Sequence, residues 1–275
     1  KRINIKGQLL SLDEPQVMGI LNVTPDSFYA GSRKQTEAAI IDRIETILRE
    51  GASIIDVGGY SSRPDAAEVS ETEEMQRLEM ALQPLLQHYP DVVVSVDTFR
   101  SSVARQCVEK YGVSMINDIS GGELDERMFD TVAQLRVPYI MMHMRGTPQT
   151  MQQQTDYEDV TADLLKYFSQ KLERLFRLGV NDVILDPGFG FSKTLTQNYE
   201  LMRHLGDFRI FGLPLLVGVS RKSMIYKLLE TTPEESLNGT TVLHTYALLQ
   251  GADILRVHDV RAAKEAIRIV QQLKG

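Results

Sequence analysis

The sequence predicts an α/β protein, a single-domain (β/α)8 TIM barrel that spans residues 1–275 and carries a short N-terminal hairpin. The main observation is alternation, because eight short apolar runs rich in Val and Ile alternate with longer stretches of helical periodicity. This pattern indicates a parallel sheet covered by helices. Eight strands in a chain close to the usual length of about 250 residues favour a closed barrel over an open sheet. No proline- or serine-rich linker divides the chain.

The predicted elements follow one another in order along the chain. We expect the strands at residues 17–23, 53–58, 92–97, 114–118, 138–142, 182–186, 213–218 and 253–257. Helical patterns lie between them, such as EAAIIDRIETILREG (37–51) and VTADLLKYFSQKLERLFRLG (160–179). Gly179 is expected to end the second of these helices. The segment INIKGQLLSL (3–12) predicts a hairpin that caps the bottom of the barrel.

Composition excludes several classes of protein. The net charge is −7, from 30 Lys and Arg against 37 Asp and Glu, which argues against a nucleic-acid binder. The only cysteine, Cys107, allows no internal disulfide and is expected to be a small buried residue of a helix. The polar start KRINIKG does not resemble a signal peptide, and no apolar run approaches the roughly 18 residues of a membrane helix. We therefore expect a cytoplasmic protein with no membrane partner.

Polar side chains occur at nearly every predicted strand end. Chemistry in a TIM barrel lies at the carboxyl ends of the strands, and apolar packing alone does not explain polar residues there. The residues at these ends are Asn22, Ser62, Arg63, Asp97, Asn117, Met142, His143, Asp186, Lys222, Ser223, Arg256 and His258, all of them polar except Met142. The pattern predicts an active site at this end.

The first group of strand-end residues suits a flat heterocycle. Two carboxylates and one amide (Asp97, Asp186 and Asn117) match the donor edge of an aminopyrimidinone such as guanine or a pterin. Met142 and Phe191 are candidates for contact with the ring faces. The alternative for each aspartate is a helix N-cap or another structural role.

The second group indicates a small anion such as phosphate or pyrophosphate. It contains two arginines, a lysine and a histidine together with neutral oxygen donors: Asn22, Ser62, Arg63, Lys222, Arg256 and His258. Asn22 is a candidate ligand for Mg²⁺ on that anion. A structural ion pair is the alternative for Arg256, and a structural role is the alternative for His143.

Three segments are candidate loops of this site. The stretch DVILDPGFGFSK (182–193) resembles a shortened phosphate loop ending in Lys193, although Asp186 is its other candidate functional group. Residues 24–36 and 61–70 form two polar segments that exceed the usual length of roughly two to six residues for such connections. They are candidate lids over the barrel mouth, and disordered surface insertions are the alternative.

Eight motifs together resemble the dihydropteroate synthase family of the folate pathway. They occur in family order along nearly the whole chain: MGILNVTPDSF (18–28), IIDVGGYSSRP (54–64), SVDTFR (95–100), INDISGG (116–122), MMHMRGTPQTMQ (141–152), ILDPGFGFSK (184–193), GVSRKSMI (218–225) and LRVHDV (255–260). The resemblance implies a transferase that joins 6-hydroxymethyl-7,8-dihydropterin pyrophosphate to p-aminobenzoate and releases pyrophosphate. It also implies Mg²⁺ as cofactor, a homodimer, and sulfonamides as competitors of p-aminobenzoate.

The resemblance also implies a role for each matched residue. The pterin would be bound by Asp97, Asn117, Met142, Asp186, Phe191 and Lys222. The pyrophosphate would be bound by Asn22, Ser62, Arg63, Arg256 and His258, with Mg²⁺ near Asn22. The p-aminobenzoate pocket would be formed by Phe28, Arg63, Pro64, Lys222 and Ser223. The catalytic set would be Arg63, Asp97, Asp186, Lys222, Arg256 and His258, which leaves Lys193 without a phosphate to bind.

The chain departs from the family pattern in two loops. Ala30 stands where the family commonly has an aspartate, and Tyr60, Ser62 and Asp65 replace Glu, Thr and Gly of the common GESTRPGA. Asp65 could partly replace the missing loop carboxylate. Two other hypotheses remain, a methyltetrahydrofolate-binding methyl-transfer domain and a non-catalytic pterin-binding paralogue. The former would not need the NVTPDSF, SRP and SRK elements.

Overall fold

A computed structural model of the protein describes residues 1–28 and 31–275, and its centre is an eight-stranded parallel barrel. A two-stranded antiparallel hairpin precedes the barrel. The hairpin strands are β1 (Arg2–Ile5) and β2 (Gln8–Ser11). The barrel strands are β3 (Gln16–Asn22), β4 (Ile54–Gly58), β5 (Val93–Asp97), β6 (Met115–Asp118), β7 (Tyr139–Met142), β8 (Val183–Asp186), β9 (Leu216–Val217) and β10 (Ile254–Val257). The predicted fold class is confirmed.

The strands are hydrogen-bonded in the order β8-β7-β6-β5-β4-β3-β10-β9. A bridge between Leu185 and Leu215 brings the two outer strands together and closes the barrel. Strand β9 is shorter than the predicted 213–218, since Pro214 cannot donate a ladder hydrogen bond. The Pro214 carbonyl still accepts from Leu185 N–H at 2.9 Å.

Helices cover the outside of the barrel. They are α1 (Pro25–Phe28), α2 (Arg33–Arg49), α3 (Glu71–His88), α4 (Ser101–Tyr111), α5 (Met128–Leu135), α6 (Val160–Arg177), α7 (Leu195–Arg203), α8 (Ser223–Tyr226), α9 (Leu237–Leu249) and α10 (Val260–Lys274). Short 3-10 helices occur at Met151–Gln153 and Leu205–Phe211. Within the described residues no helix is both long and apolar enough to cross a membrane.

The ends of two helices follow local capping chemistry. Helix α2 begins at Arg33, within the segment predicted as a loop, because Ser32 and Gln35 form a capping box. Helix α6 ends as expected next to Gly179, whose φ of 83° suits glycine. Val180 N–H then donates to Leu175 O at 3.0 Å, which completes a Schellman motif.

The hairpin closes the bottom of the barrel, as predicted. Ile3 and Leu12 are buried with one apolar residue from each of seven barrel strands: Met18, Ile54, Met115, Ile140, Ile184, Leu216 and Ile254. This cluster excludes water from the lower half of the barrel interior, so polar groups of the interior are confined to the opposite end. Cys107 is buried on α4, as expected.

The structure describes only one of Ala30 and Asp65, two loop positions at which the chain differs from the family pattern. Ala30 lies outside the described residues, so its effect stays a prediction. Asp65 is exposed and lines the large cavity described below. The end of the 61–70 segment is held by Arg100, whose guanidinium donates to Val69 O and to Glu74 Oε1, both at 2.6 Å.

Candidate active site

A cavity of about 960 Å³ opens at the carboxyl ends of the barrel strands. Nearly all of the site residues expected from the sequence line it: Asn22, Ser62, Arg63, Pro64, Asp97, Asn117, Met142, Asp186, Phe191, Lys222, Ser223, Arg256 and His258. The exception is Phe28, which packs against the core between barrel and helices instead. The structure therefore brings the two chemical groups of residues into one space but does not bring Phe28 to it.

Asp97 ends β5 and is almost fully buried in the cavity wall. Its Oδ1 accepts a hydrogen bond of 2.9 Å from the hydroxyl of Tyr60, and its Oδ2 lies 3.5 Å from Nη2 of Arg256. Burial and the neighbouring carboxylate of Asp56 raise the pKa of Asp97 to about 7, although Arg256 and Tyr60 oppose the rise. Asp97 is thus an acceptor held by two donors, and it is not a helix cap.

Asp56 is a buried carboxylate that is not among the site residues expected from the sequence. Its Oδ2 accepts from Nε of Arg256 at 2.7 Å and from Nδ2 of Asn117 at 3.0 Å. It lies in the middle of β4, whereas the expected site residues lie at or beyond the carboxyl ends of the strands. The signal that marks it is a carboxylate inside the apolar run IIDVG, because a fully buried charge requires partners.

The sequence left two interpretations of Arg256, a residue that binds the anion and a structural ion pair, and its position in the structure is compatible with both. It forms an ion pair with Asp56, and it also lines the cavity with part of its side chain exposed. Asp56 and Asp97 raise the pKa of Arg256 against the effect of burial. The guanidinium is thus a permanent positive charge at the cavity floor.

Asp186 ends β8 and starts the glycine-rich turn of the 182–193 segment. Its Oδ1 accepts from Gly188 N–H at 2.9 Å, and burial raises its pKa while Lys222 offsets part of the rise. Gly188 has a φ of 74°, and a Cβ there would collide with the carbonyl of His143. Glycine is therefore needed at this turn for close backbone approach.

Lys193 is the structural centre of that turn. Its buried Nζ donates to Gly188 O at 2.9 Å and to Phe191 O at 2.8 Å, and it lies 3.0 Å from Nδ1 of His143. His143 is buried and packs edge-on against Tyr167 with ring centroids 4.7 Å apart. Lys193 and His143 therefore have structural roles in this arrangement.

Lys222 joins the two chemical groups of the site. Its Nζ donates to Phe189 O at 2.7 Å and lies 4.8 Å from the centre of the Phe191 ring. Burial lowers the pKa of Lys222 to about 8, although Asp186 opposes this effect. Phe191 also packs against the apolar cluster that contains Met142, so an apolar wall adjoins this amino group.

The remaining anion-binding candidates lie around the cavity mouth. Arg63 is exposed and Ser62 is partly buried. The hydroxyl of Ser220 accepts from His258 N–H at 3.1 Å and lies 3.0 Å from Nδ1 of the same residue. His258 is exposed at the cavity mouth, and desolvation within the cavity together with the charge of Arg256 lowers its pKa to about 4.

A metal would find little protein coordination here. In the described part of the chain no three His, Cys, Asp or Glu side chains form a candidate metal site. Asn22 ends β3 in the cavity wall, and the absence of a side chain at Gly58 leaves space beside it, since a Cβ there would lie 3.4 Å from Asn22 Oδ1. One neutral oxygen fits Mg²⁺ that takes its other ligands from phosphate oxygens and water.

Sequence and structure comparisons identify similar proteins. Residues 18–258 match the family described as pterin binding enzyme. Dihydropteroate synthase of Escherichia coli (strain K12) is 43% identical over 268 residues, which cover 97% of this chain and 94% of that protein. Dihydropteroate synthase of Synechocystis sp. is 44% identical over 260 residues, covering 94% and 89% of the two chains.

The solved structures that resemble this chain include dihydropteroate synthases as well. The Yersinia pestis dihydropteroate synthase, solved as a sulfonamide drug complex, superposes with a TM-score of 0.92 at 40% identity and covers 100% of this chain and 99% of that one. The Xanthomonas albilineans dihydropteroate synthase with 4-aminobenzoic acid gives a TM-score of 0.91 at 36% identity, covering 100% and 98%. The chain therefore belongs to the dihydropteroate synthase family of pterin-binding enzymes.

Proposed function

We propose that this chain condenses 6-hydroxymethyl-7,8-dihydropterin pyrophosphate with p-aminobenzoate to give 7,8-dihydropteroate and pyrophosphate. The observation that carries the proposal is the shared cavity, in which buried acceptors lie beside a cationic region. A single ligand with a donor-rich ring and an anionic tail matches both regions. The names of the relatives support the same reaction.

The ring would be held at the cavity floor. Asp97, Asn117 and Asp186 would accept from the N–H groups of the aminopyrimidinone edge. Lys222 would donate to an acceptor of the ring, and Met142 and Phe191 would contact its faces. The raised pKa values of both carboxyl groups support this assignment, because a cationic or donor-rich ligand would stabilise their ionised forms.

The pyrophosphate would occupy the cationic region. We assign it to Ser62, Arg63, Arg256 and His258, with Asn22 as the protein ligand of Mg²⁺. When bound, Mg²⁺ would stabilise negative charge on the leaving group. Arg256 would contribute to the same stabilisation from the floor of the cavity, and Arg63 from the mouth.

p-Aminobenzoate would bind nearer the mouth. Arg63, Pro64, Lys222 and Ser223 line that part of the cavity and would orient the carboxylate and the ring. Sulfonamides would compete for the same place. Phe28 is left out of this group because it packs against the core.

The proposed reaction is a dissociative substitution. The bond between the methylene carbon and the pyrophosphate oxygen breaks, and its electron pair leaves with pyrophosphate. Asp97 and Asp186 stabilise the positive charge that remains on the pterin. The amine nitrogen then bonds to the methylene carbon and loses a proton to water, so no strong general base is required.

A coupled assay of pyrophosphate release tests this function. Turnover should require p-aminobenzoate and should rise with Mg²⁺. The catalytic hypothesis would be replaced by a non-catalytic pterin-binding paralogue if pterin binds but no pyrophosphate is released. The homodimer and the cytoplasmic location stay predictions, and sedimentation velocity on the purified chain tests the first of them.

A further inference from the structure

The strongest unassigned feature of the cavity is the buried contact between Asp56 and Asn117. Asp56 is fully buried and lies two residues before the end of β4. Its register neighbour on β5 is Ser95, which is also fully buried. One oxygen of Asp56, Oδ2, receives hydrogen bonds from both Arg256 Nε and Asn117 Nδ2.

This contact determines which way the amide of Asn117 points. A carboxylate only accepts hydrogen bonds, and an amide carries its donor and its acceptor on opposite sides. With Nδ2 directed to Asp56, Oδ1 must point away from it. In residues 1–28 and 31–275, Asn117 Oδ1 is buried and has no hydrogen-bond partner. An unpaired buried acceptor in a cavity wall is costly unless a ligand donates to it.

We propose that Asp56 is a positioning residue, which holds the Asn117 amide so that its oxygen accepts from an N–H of the bound aminopyrimidinone ring. This role rests on the proposed function and deepens it. Asp56 acts through Asn117 and does not itself touch the ring. Without Asp56 the amide is free to rotate and to present its NH2 group, which repels a donor and favours a ring with an acceptor at that place.

A double-mutant cycle separates this role from a general structural one. The ligand is 6-hydroxymethylpterin, the free alcohol, and its affinity is measured by isothermal titration calorimetry. Asp56→Ala should weaken binding about tenfold, the usual effect of one lost buried hydrogen bond. In an Asn117→Ala background the same change should cost less than about twofold. In an Arg256→Ala background, Asp56→Ala should still weaken binding about tenfold, because the effect of Asp56 on the ring is not transmitted through Arg256.

The conservative variant Asp56→Asn separates orientation from charge. Arg256 Nε is a donor and cannot accept, so the amide oxygen of the new side chain must take the place of Oδ2. That oxygen also accepts from Asn117, which keeps its orientation. Binding of the alcohol should therefore stay within about threefold of the unmodified protein. A tenfold loss of affinity in Asp56→Asn would show that the charge of Asp56, and not the orientation of the Asn117 amide, determines binding, and it would overturn the proposal.

Ser95→Ala is the matched control. It removes a buried hydroxyl from the same level of the barrel, and Ser95 Oγ has no hydrogen-bond partner among the described residues. Binding should change by less than about twofold. Circular dichroism and thermal melting verify that each variant folds, and Asp56→Ser replaces Asp56→Ala in the cycle if the alanine variant does not.

The results distinguish failure of this inference from failure of the proposed function. If the unmodified protein binds no pterin, the function is wrong. If it binds pterin and releases pyrophosphate, but Asp56→Ala binds equally well, the positioning role is wrong. A tenfold loss that persists in the Asn117→Ala background likewise contradicts the route through Asn117.

Discussion

The hydroxyl of Tyr60 donates a hydrogen bond of 2.9 Å to Oδ1 of Asp97 inside the cavity wall. Both side chains are nearly fully buried, and the ring of Tyr60 packs edge-on against Phe99 with centroids 5.3 Å apart. Burial raises the pKa of Asp97 to about 7, and the hydrogen bond from Tyr60 limits that rise. Tyr60 stands where the family commonly has a glutamate, so this chain supports Asp97 with a neutral donor.

Tyr60→Phe should therefore shift the pH dependence of turnover. Loss of the hydroxyl removes a donor to the ionised carboxyl and raises the pKa of Asp97 above about 7. If the ionised form binds the pterin, kcat/KM of Tyr60→Phe relative to that of the unmodified protein should fall at about pH 6.5 and recover at about pH 8.5, because the Lys222 limb is common to both proteins. The profile of kcat/KM against pH is the measurement, and Tyr246→Phe, on the outer helix α9, is the control. An acid limb that stays at the same pH would contradict the role of this bond.

Arg256→Ala should separate the two halves of the substrate. Its guanidinium is the charge that faces the leaving group in the proposal, and a charge-assisted hydrogen bond contributes about 1.5–3 kcal/mol. Affinity for the pyrophosphate ester should fall about thirtyfold, while affinity for the free pterin alcohol should fall less than about fivefold. Calorimetry with the two ligands measures the difference.

Arg177→Ala is the control for that experiment, because it removes the same charge from the exposed surface of α6. It should leave both affinities unchanged. Equal losses for ester and alcohol in Arg256→Ala would show that Arg256 mainly holds Asp56 and Asp97 in place.

Lys222 should determine the alkaline limb of the profile of kcat/KM against pH. Burial lowers its pKa to about 8, so its amino group loses charge as pH rises through that value. If the charge is required, kcat/KM should fall above about pH 8. Lys222→Arg should move this fall to higher pH, because a guanidinium stays protonated. Lys222→Ala should raise KM for both substrates, and a near-normal KM for either would remove Lys222 from that part of the site.

The sequence was sufficient to predict the barrel because periodicity and strand ends are local properties. Asp97, Asp186 and Asn22 each end a strand, and the parallel barrel brings all such ends to one cavity. The start of β9 was not predictable from apolarity alone, because Leu213 and Leu215 extend the run although Pro214 interrupts the ladder.

Partners across the barrel could not be read from the sequence. Tyr60 and Asp97 are 37 residues apart, and Asp56 and Arg256 are 200 residues apart. Which side chains meet depends on strand stagger and tilt, which no local pattern contains. Phe28, taken from a motif, lies on the short helix α1 that follows β3, so its packing against the core depends on the path of that connection.

Lys193→Met should destabilise the protein and should not selectively remove anion binding. The amino group donates to two carbonyl oxygens of the 188–191 turn, and methionine of similar length leaves these buried acceptors unpaired. We expect a loss of about 2–4 kcal/mol in the free energy of unfolding, measured by urea denaturation. Lys166→Met, on the exposed face of α6, should change it by less than about 0.5 kcal/mol. A stable variant that loses only affinity for the pyrophosphate ester would instead restore Lys193 as a phosphate ligand and return the glycine-rich turn to a phosphate loop.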